Sequence, residues 1–391
     1  MKAADLLGAQ PRCPVCSGTG RPALALPAQP IYQHPVSAEV TIPTPHAVDL
    51  KWVACADCAH AWQPEFDKML LEQIYRSHYY TPAPDGIAVQ FRSEFFATMD
   101  RFGLTTPRQA LLEIGASNGD VLAELKTRTG AARAYAFEPD HENAAVARRR
   151  GLDVREHFFG AAMRGGDIDP VDLVYARHVI EHVFEFGDFF AGLNATAKPT
   201  ADLVLETPSL DHHAARGSVA PFHIEHIHVF SLCSLTRLAA RHGWGLKRAE
   251  VTAPGNLIAW FARGATTAQT PTPSLGGLQE AVTRQRLRLQ GLLAGRRLVF
   301  WGAGSAGACL ASMVGREPDL WTDGNPAKVG KHYAGSTREI VSPQVAFAQA
   351  KSVTPDPPLL VITSSFVDEI LPRVRQLGWQ GEILDLGGNR L

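Results

Sequence analysis

The 391-residue chain contains no apolar run long enough to cross a bilayer. It has no excess of either charge: 38 Lys and Arg stand against 39 Asp and Glu, a formal net charge of −1. That balance provides no broad basic field for nucleic acid or for an anionic membrane, and neither is expected as a partner. The opening segment MKAADLLGAQPRC has no apolar h-region and no cleavage site, so no signal peptide is expected. No repeat of solenoid type is present. The six cysteines do not form a disulfide set: four fall into two CxxC pairs, and Cys233 and Cys309 stand alone. This usage suits a reducing compartment, and the expected location is cytoplasmic.

What is present is an ordinary globular composition, 45% hydrophobic and 20% charged, with length for two or three cores. Residues 1–80 are rich in Pro, Cys and aromatics, with short strand-like runs. From about 109 the pattern becomes apolar strand, glycine turn, helix, strand. LLEIG, AYAFEP, VDLVYA and ADLVLETP read as strands, with HENAAVARRRG as a helix between two of them. Such runs predict a parallel sheet buried on both faces, hence an α/β fold. The polar, proline-containing segment 264–275 reads as a linker. A helix over LQEAVTRQRLRLQGLLAG then leads into a second α/β unit at RRLVFWGAGSAG. The expected parts are 1–80, 81–264 and 276–391.

Cys13-Pro-Val-Cys16 and Cys55-Ala-Asp-Cys58 are separated by 38 residues. Each CxxC turn sets two sulfurs on one side of a knuckle, and two knuckles complete a tetrahedral thiolate site for Zn2+. Four protein ligands leave no open position, so the zinc is expected to be structural. The module between the pairs has little core of its own, and metal binding would contribute to its folding. His60 is a substitute ligand of lower rank.

LLEIGASNGD at 111–120 has the pattern E-x-G-x-x-x-G: a strand through Glu113 turns at Gly115–Gly119 into a helix. Glycine there permits close backbone approach and positive φ. The helix N-terminus offers N–H groups to a carboxylate, and Asn118 or Asp120 is placed to cap it. Glu138 ends the next strand 19 positions after Gly119, where a doubly wound fold places an acid for ribose hydroxyls. Asp172, on the strand VDLVYA, adds to the same reading. The arrangement resembles class I S-adenosylmethionine (SAM)-dependent methyltransferases. The resemblance implies that Glu113, Gly115, Ala116, Ser117, Asn118, Gly119 and Glu138 hold SAM. An NAD-binding unit is the competing reading, but the glycine spacing differs from G-x-G-x-x-G. His178-Val-Ile-Glu181-His182 matches the inverted zincin pattern H-x-x-E-H, yet it directly follows the fourth strand. Class I methyltransferases carry a similar run there, which implies that Arg177 and His178 line the SAM pocket and that His182 is a packed or hydrogen-bonded histidine.

FHIEHIHVFSL at 222–232 brings together His223, Glu225, His226 and His228. Histidine is a natural general base near neutral pH. In an extended segment, His226 and His228 would share one face, with His223 and Glu225 on the other. A polar loop without chemistry is the bland reading of the same residues, and a catalytic zinc is a third.

The chain as a whole resembles the sugar C-methyltransferases that act on nucleotide-linked keto-sugars. The matching segments are the two CxxC pairs, FWGAGSAG, TDGNPAKVGKHYAGSTREIVSP, EILDLGG and H-I-E-H-I-H-V-F-S. The resemblance implies three parts: a zinc-binding module (1–80), a class I SAM-methyltransferase Rossmann-like domain (81–264) and a C-terminal Rossmann-like domain (276–391). It makes Glu225 and His226 the acid and base, and IYRSHYYTPAPDG supplies Tyr79 or Tyr80. Two departures concern the sugar site: His223 replaces the family's tyrosine before the acid, and YYTPAPDG replaces a stretch rich in tyrosine and serine. The implied chemistry removes a proton next to a ketone and transfers the methyl of SAM to the enolate carbon. Tyr80 or His223 would polarise the oxyanion. O-methylation is the alternative, and the same histidine would serve it.

Gly302-Ala-Gly304-Ser-Ala-Gly307 follows a strand, and Asp323 lies 21 residues after Gly302. Alone, this pattern predicts NAD and an oxidoreductase. In the resembled family the domain carries no nicotinamide and helps enclose the sugar nucleotide. A non-catalytic nucleotide-sugar binder is the reading left if His226 is inert.

Overall fold

The computed structural model describes residues 11–38, 45–76, 87–161, 168–253, 255–265, 275, 277–351, 357–364 and 366–391. The chain divides into two compact units. The first comprises 1–23, 52–213 and 225–276, and the second 24–51, 214–224 and 277–391. The strands β1 (Gly20–Pro30), β2 (Ala47–Cys55) and β3 (Ala61–Trp62) come first. Most of the linker expected over 264–275 lies outside the described residues.

The first unit is built on a seven-stranded sheet. Its strands are β4 (Ala110–Ile114), β5 (Arg133–Phe137), β6 (Asp153–Arg155), β7 (Val171–Arg177), β8 (Ala197–Pro208), β10 (Trp244–Val251) and β11 (Asn256–Arg263). The short β9 (His228–Val229) lies outside this sheet and pairs with β3, which in turn pairs with β2 at Val53 and Ala54. The sheet order is β10-β11-β8-β7-β4-β5-β6. Strands β4 to β8 run parallel, and β11 and β10 continue the sheet antiparallel.

All five residues of β4 are buried, Glu113 among them, as expected of a parallel strand covered on both faces. One face packs Leu112, Ile114 and Phe137 on the helix Phe186–Thr196. The other packs Leu111, Ala136 and Tyr175 on Phe95 and on the helix Asp120–Thr129. Chain order reverses at β4, which has β5 on one side and β7 on the other. That switch point opens a crevice at the carboxyl ends of the strands.

The second unit carries β12 (Leu298–Trp301), β13 (Leu320–Thr322), β14 (Ile340–Val341), β15 (Leu359–Ile362) and β16 (Ile383–Leu384). They form a parallel sheet of order β14-β13-β12-β15-β16. The helix read from LQEAVTRQRLRLQGLLAG spans Leu278–Leu293 and precedes β12. Gly302 leaves β12 at φ +125°, and a Cβ there would stand 2.9 Å from the Thr363 carbonyl oxygen. The glycine therefore serves close packing of the turn on β15. Asp323 is engaged within its own unit: Oδ2 accepts from Ala303 N (2.8 Å) and Lys328 Nζ (3.0 Å), and Oδ1 accepts from Asn325 N (2.8 Å). The sheet is Rossmann-like, but this acid is spent on the turn rather than presented to a dinucleotide. Among the described residues, no helix is long and apolar enough to cross a membrane.

Candidate active site

A cavity of about 770 Å3 opens at the carboxyl ends of β4, β5 and β7, within the first unit. Its floor is the turn after β4. Gly115 (φ +72°) and Ser117 (φ +47°) both adopt left-handed backbone, and a Cβ on Gly115 would lie 2.4 Å from Val179 Cγ2. Gly115 N and Ala116 N donate to the Phe137 carbonyl at 2.8 and 3.2 Å, tying the turn to the end of β5. Gly119 is the N-cap of the helix Asp120–Thr129. Asn118 Oδ1 accepts from Asp120 N at 3.2 Å, so the asparagine, not the aspartate, meets the first-turn N–H.

Glu138 closes the loop. Its Oε2 accepts from Ser117 N (2.7 Å) and its Oε1 from Asp140 N (2.9 Å). Burial raises its carboxyl above the usual range. Glu113, 3% exposed, takes a hydrogen bond from the Tyr175 hydroxyl at 3.0 Å. Burial pushes it up to about 8 against the pull of Arg177, so it is protonated at neutral pH.

After β7, Arg177 Nε donates to Glu206 Oε2 at 2.5 Å. His178 sits at φ +52° with Nδ1 3.3 Å from Glu181 Oε1 and Nε2 3.7 Å from Glu206 Oε1. Burial opposes its charge, but the two carboxylates prevail and raise it to about 9. The side chain keeps 36% exposure because the cavity opens onto it, so its charge is partly solvated. Burial works against the Glu206 anion too, yet Arg177 and His178 hold that carboxyl down at about 2.

The segment 222–230 is not extended. It turns at 224 and 225 before entering β9, so the alternation of faces expected for its histidines does not apply. Glu225 lines the cavity, and burial raises its carboxyl to about 7. His226 is 8% exposed and packs its ring against that of the lining His182, 4.9 Å between centroids. Gln63 Nε2 donates to the His226 carbonyl at 2.8 Å and fixes its backbone. His228 is held elsewhere, 3.1 Å from His60 Nε2 and 3.1 Å from the Val183 carbonyl. His223 belongs to the second unit. Tyr79 and Tyr80 lie outside the described residues.

Of the residues expected at the cofactor, Glu113, Gly115, Ala116, Ser117, Asn118, Glu138, Arg177 and His178 line the cavity. Asp172 does not belong with them. It is the second residue of β7, at the opposite end of the sheet, and accepts from Gln109 N at 2.9 Å. Sequence reasoning passed over Glu206. Its signal was an acid within the apolar strand ADLVLETP, since a charge is seldom buried without a partner.

Cys13, Cys16, Cys55 and Cys58 place their sulfurs within 4.8 Å of one another. Across the two knuckles, Cys13 and Cys58 are 3.6 Å apart, and Cys16 and Cys55 are 3.4 Å apart. Sulfurs about 2.3 Å from zinc in a tetrahedron stand roughly 3.8 Å from one another, so the group fits the metal. The knuckles are alike: Ser17 N bonds to the Cys13 carbonyl and Ala59 N to the Cys55 carbonyl, and both Ser17 and Ala59 have positive φ. His60 stacks on Trp62 rather than joining the cysteines.

Residues 88–247, which span this sheet and cavity, match the family model of a methyltransferase domain. Over those residues the chain is similar to methyltransferase domains, and the sheet and cavity belong to that part. No curated protein matches the chain. Solved structures similar to the methyltransferase domain include a SAM dependent methyltransferase from Aquifex aeolicus, 16% identical, with TM-score 0.35, covering 51% of this chain and 100% of that one. A second is geranyl diphosphate C-methyltransferase from Streptomyces coelicolor A3(2), 14% identical, with TM-score 0.35 and coverage of 44% and 75%. A third is magnesium protoporphyrin IX methyltransferase from Synechocystis PCC 6803, 12% identical, with TM-score 0.36 and coverage of 51% and 99%. The cavity of the methyltransferase domain suits its donor. Besides neutral Glu113, six carboxyl side chains line it against Lys68, Arg92, Arg177 and the raised His178, a small acidic excess that favours a cationic ligand. The buried Ser117 hydroxyl there has no partner among the described residues, leaving a polar atom for a ligand to meet.

Proposed function

We propose that the methyltransferase domain C-methylates a nucleotide-linked keto-sugar, with His226 as the base. The observation that supports it best is Glu225, an acid in the cavity wall raised to about 7, adjacent in sequence to a buried histidine. His226 takes the proton from the carbon beside the ketone, and Glu225 orients the ring. Tyr80 supplies a donor to the enolate oxygen. When bound, SAM supplies the electrophilic methyl and leaves as the thioether. Gly115 to Gly119, Glu138, Arg177 and His178 hold that donor, and neutral Glu113 supports the turn from beneath. The four cysteines hold a structural Zn2+.

The test is incubation with nucleotide-linked 4-keto-6-deoxy sugars in heavy water, read by mass spectrometry. One methyl should be gained with SAM, and deuterium should enter beside the ketone without it. His226→Ala should lose both signals and keep SAM binding. Methylation of a hydroxyl without that exchange would replace the enolate chemistry with O-methylation.

A further inference from the structure

The H-x-x-E-H run is not used as a zincin, but two of its members meet a third residue. Glu181, His182 and His226 each bring one ligand atom within 4.8 Å of the others. Glu181 and His182 lie on the short 3-10 turn Ile180–His182 after β7, and His226 lies just before β9. Glu181 is fully buried, and among the described residues neither of its carboxylate oxygens accepts a hydrogen bond. His178 Nδ1, 3.3 Å from Oε1, supplies opposite charge from off the hydrogen-bonding line. Buried acceptors left in this state carry a desolvation cost that a further ligand would relieve.

His182 is oriented for such a ligand. His182 Nδ1 is 2.7 Å from the Glu225 carbonyl and donates to it. That bond fixes the tautomer and leaves the lone pair of the neutral ring on Nε2. Metal-bound histidines have the same outer hydrogen bond. His226 is pinned through its carbonyl by Gln63.

We propose that Glu181, His182 and His226 form a second metal site, for a late first-row divalent cation of the zinc and cobalt class. Two imidazoles and one carboxylate suit these ions. Three protein ligands leave a fourth position, and His182 lines the cavity. A cation here occupies the lone pair of His226, so the metal-loaded domain cannot use that ring as a base. This consequence rests on the proposed function, whereas the site itself does not.

Untagged protein is dialysed against Zn2+, then against metal-free buffer, and bound zinc per chain is measured without SAM. Wild type should hold one equivalent more than either Glu181→Gln or His226→Gln. The equivalent that the variants retain reports intact cysteine knuckles and so controls for folding. With Co2+ the extra equivalent should add visible tetrahedral bands without adding sulfur charge-transfer absorption. Equal metal content in wild type and both variants overturns the site. An extra equivalent in a wild type that never exchanges the sugar proton leaves the site standing and removes the role of His226 as base.

Discussion

Gly115 answers two demands at one residue: a left-handed φ of +72° and a Cβ position already taken by Val179 Cγ2, 2.4 Å away. Alanine there costs about 1 kcal/mol for the backbone alone, and the steric overlap must then displace Val179 or the turn. The turn is the floor of the donor cavity, so its displacement falls directly on the cofactor. Gly115→Ala should weaken SAM binding about tenfold or more by calorimetric titration, a change of about 1.4 kcal/mol. Adding Val179→Ala should restore part of the loss, because it removes the methyl but not the strained φ. Unchanged affinity in the single variant would show that the turn does not contact the donor. The glycine pattern was readable because only one residue type meets both demands. Glu138 was readable because its place after the second strand follows from topology. The pairing of His182 with His226 was not, since 43 residues of intervening chain carry no mark of which surface they return to.

At the scale of elements, the ends of three adjacent strands are joined by one polar group. Arg177 and His178 follow β7, Glu206 lies near the end of β8, and Asn256 Nδ2 at the start of β11 donates to Glu206 Oε1 at 3.2 Å. The apolar runs foretold the strands, but not that an acid in one would be neutralised by cations after another. That pairing depends on register, which hydrophobic pattern alone does not reveal in a sheet buried on both faces. The group has a pH signature. His178 rises to about 9 from an unfolded value near 6.5, so its contribution is complete below pH ~6.5 and is lost as pH rises toward 9. Glu206 falls to about 2, so its contribution holds above pH ~4.5 and is lost on acidification toward 2. His178→Asn removes the first titration and keeps a residue that accepts positive φ. Urea unfolding should then show the variant less stable than wild type at pH 6, with the gap closing by pH 9. The acid limb should persist through Arg177 but move to higher pH, because His178 no longer helps hold Glu206 down. A gap independent of pH would mean that His178 acts by shape rather than by charge. Glu113 titrates in both proteins and cancels in the difference.

At the scale of the whole chain, the amount of structure that depends on zinc follows from how the cores are shared. Cys13, Cys55, Cys58, Val15 and Trp62 belong to the same buried cluster as Ile114, Phe186, Phe230 and Leu235 of the methyltransferase sheet and its helices. Polar contacts reinforce the join: Ser231 Oγ donates to the Cys58 carbonyl at 3.1 Å, and Arg241 Nη1 donates to the Val15 carbonyl at 2.6 Å. The CxxC spacing announced the paired knuckles but not this merger, because spacing reports local turns and says nothing of what the knuckles pack against. On the proposed function, zinc bound at the knuckles would support the unit that holds the cavity as well as the knuckles themselves. Four thiolates deprived of their cation would be buried near one another and would have to protonate or move, which loosens the core they share. Stripping zinc, or Cys58→Ser, should therefore lower the melting temperature of the SAM-stabilised transition by about 10 °C, the scale expected for a loss of a few kcal/mol in a unit of this size. Calorimetry with and without SAM checks this, with zinc content measured in parallel. If zinc release unfolded the knuckles alone and left the SAM-stabilised transition unmoved, the cores would be thermodynamically separate despite their contacts. A coupled fall would mean that the thiolate site governs SAM affinity through stability alone, and saturating SAM should then recover part of the lost melting temperature.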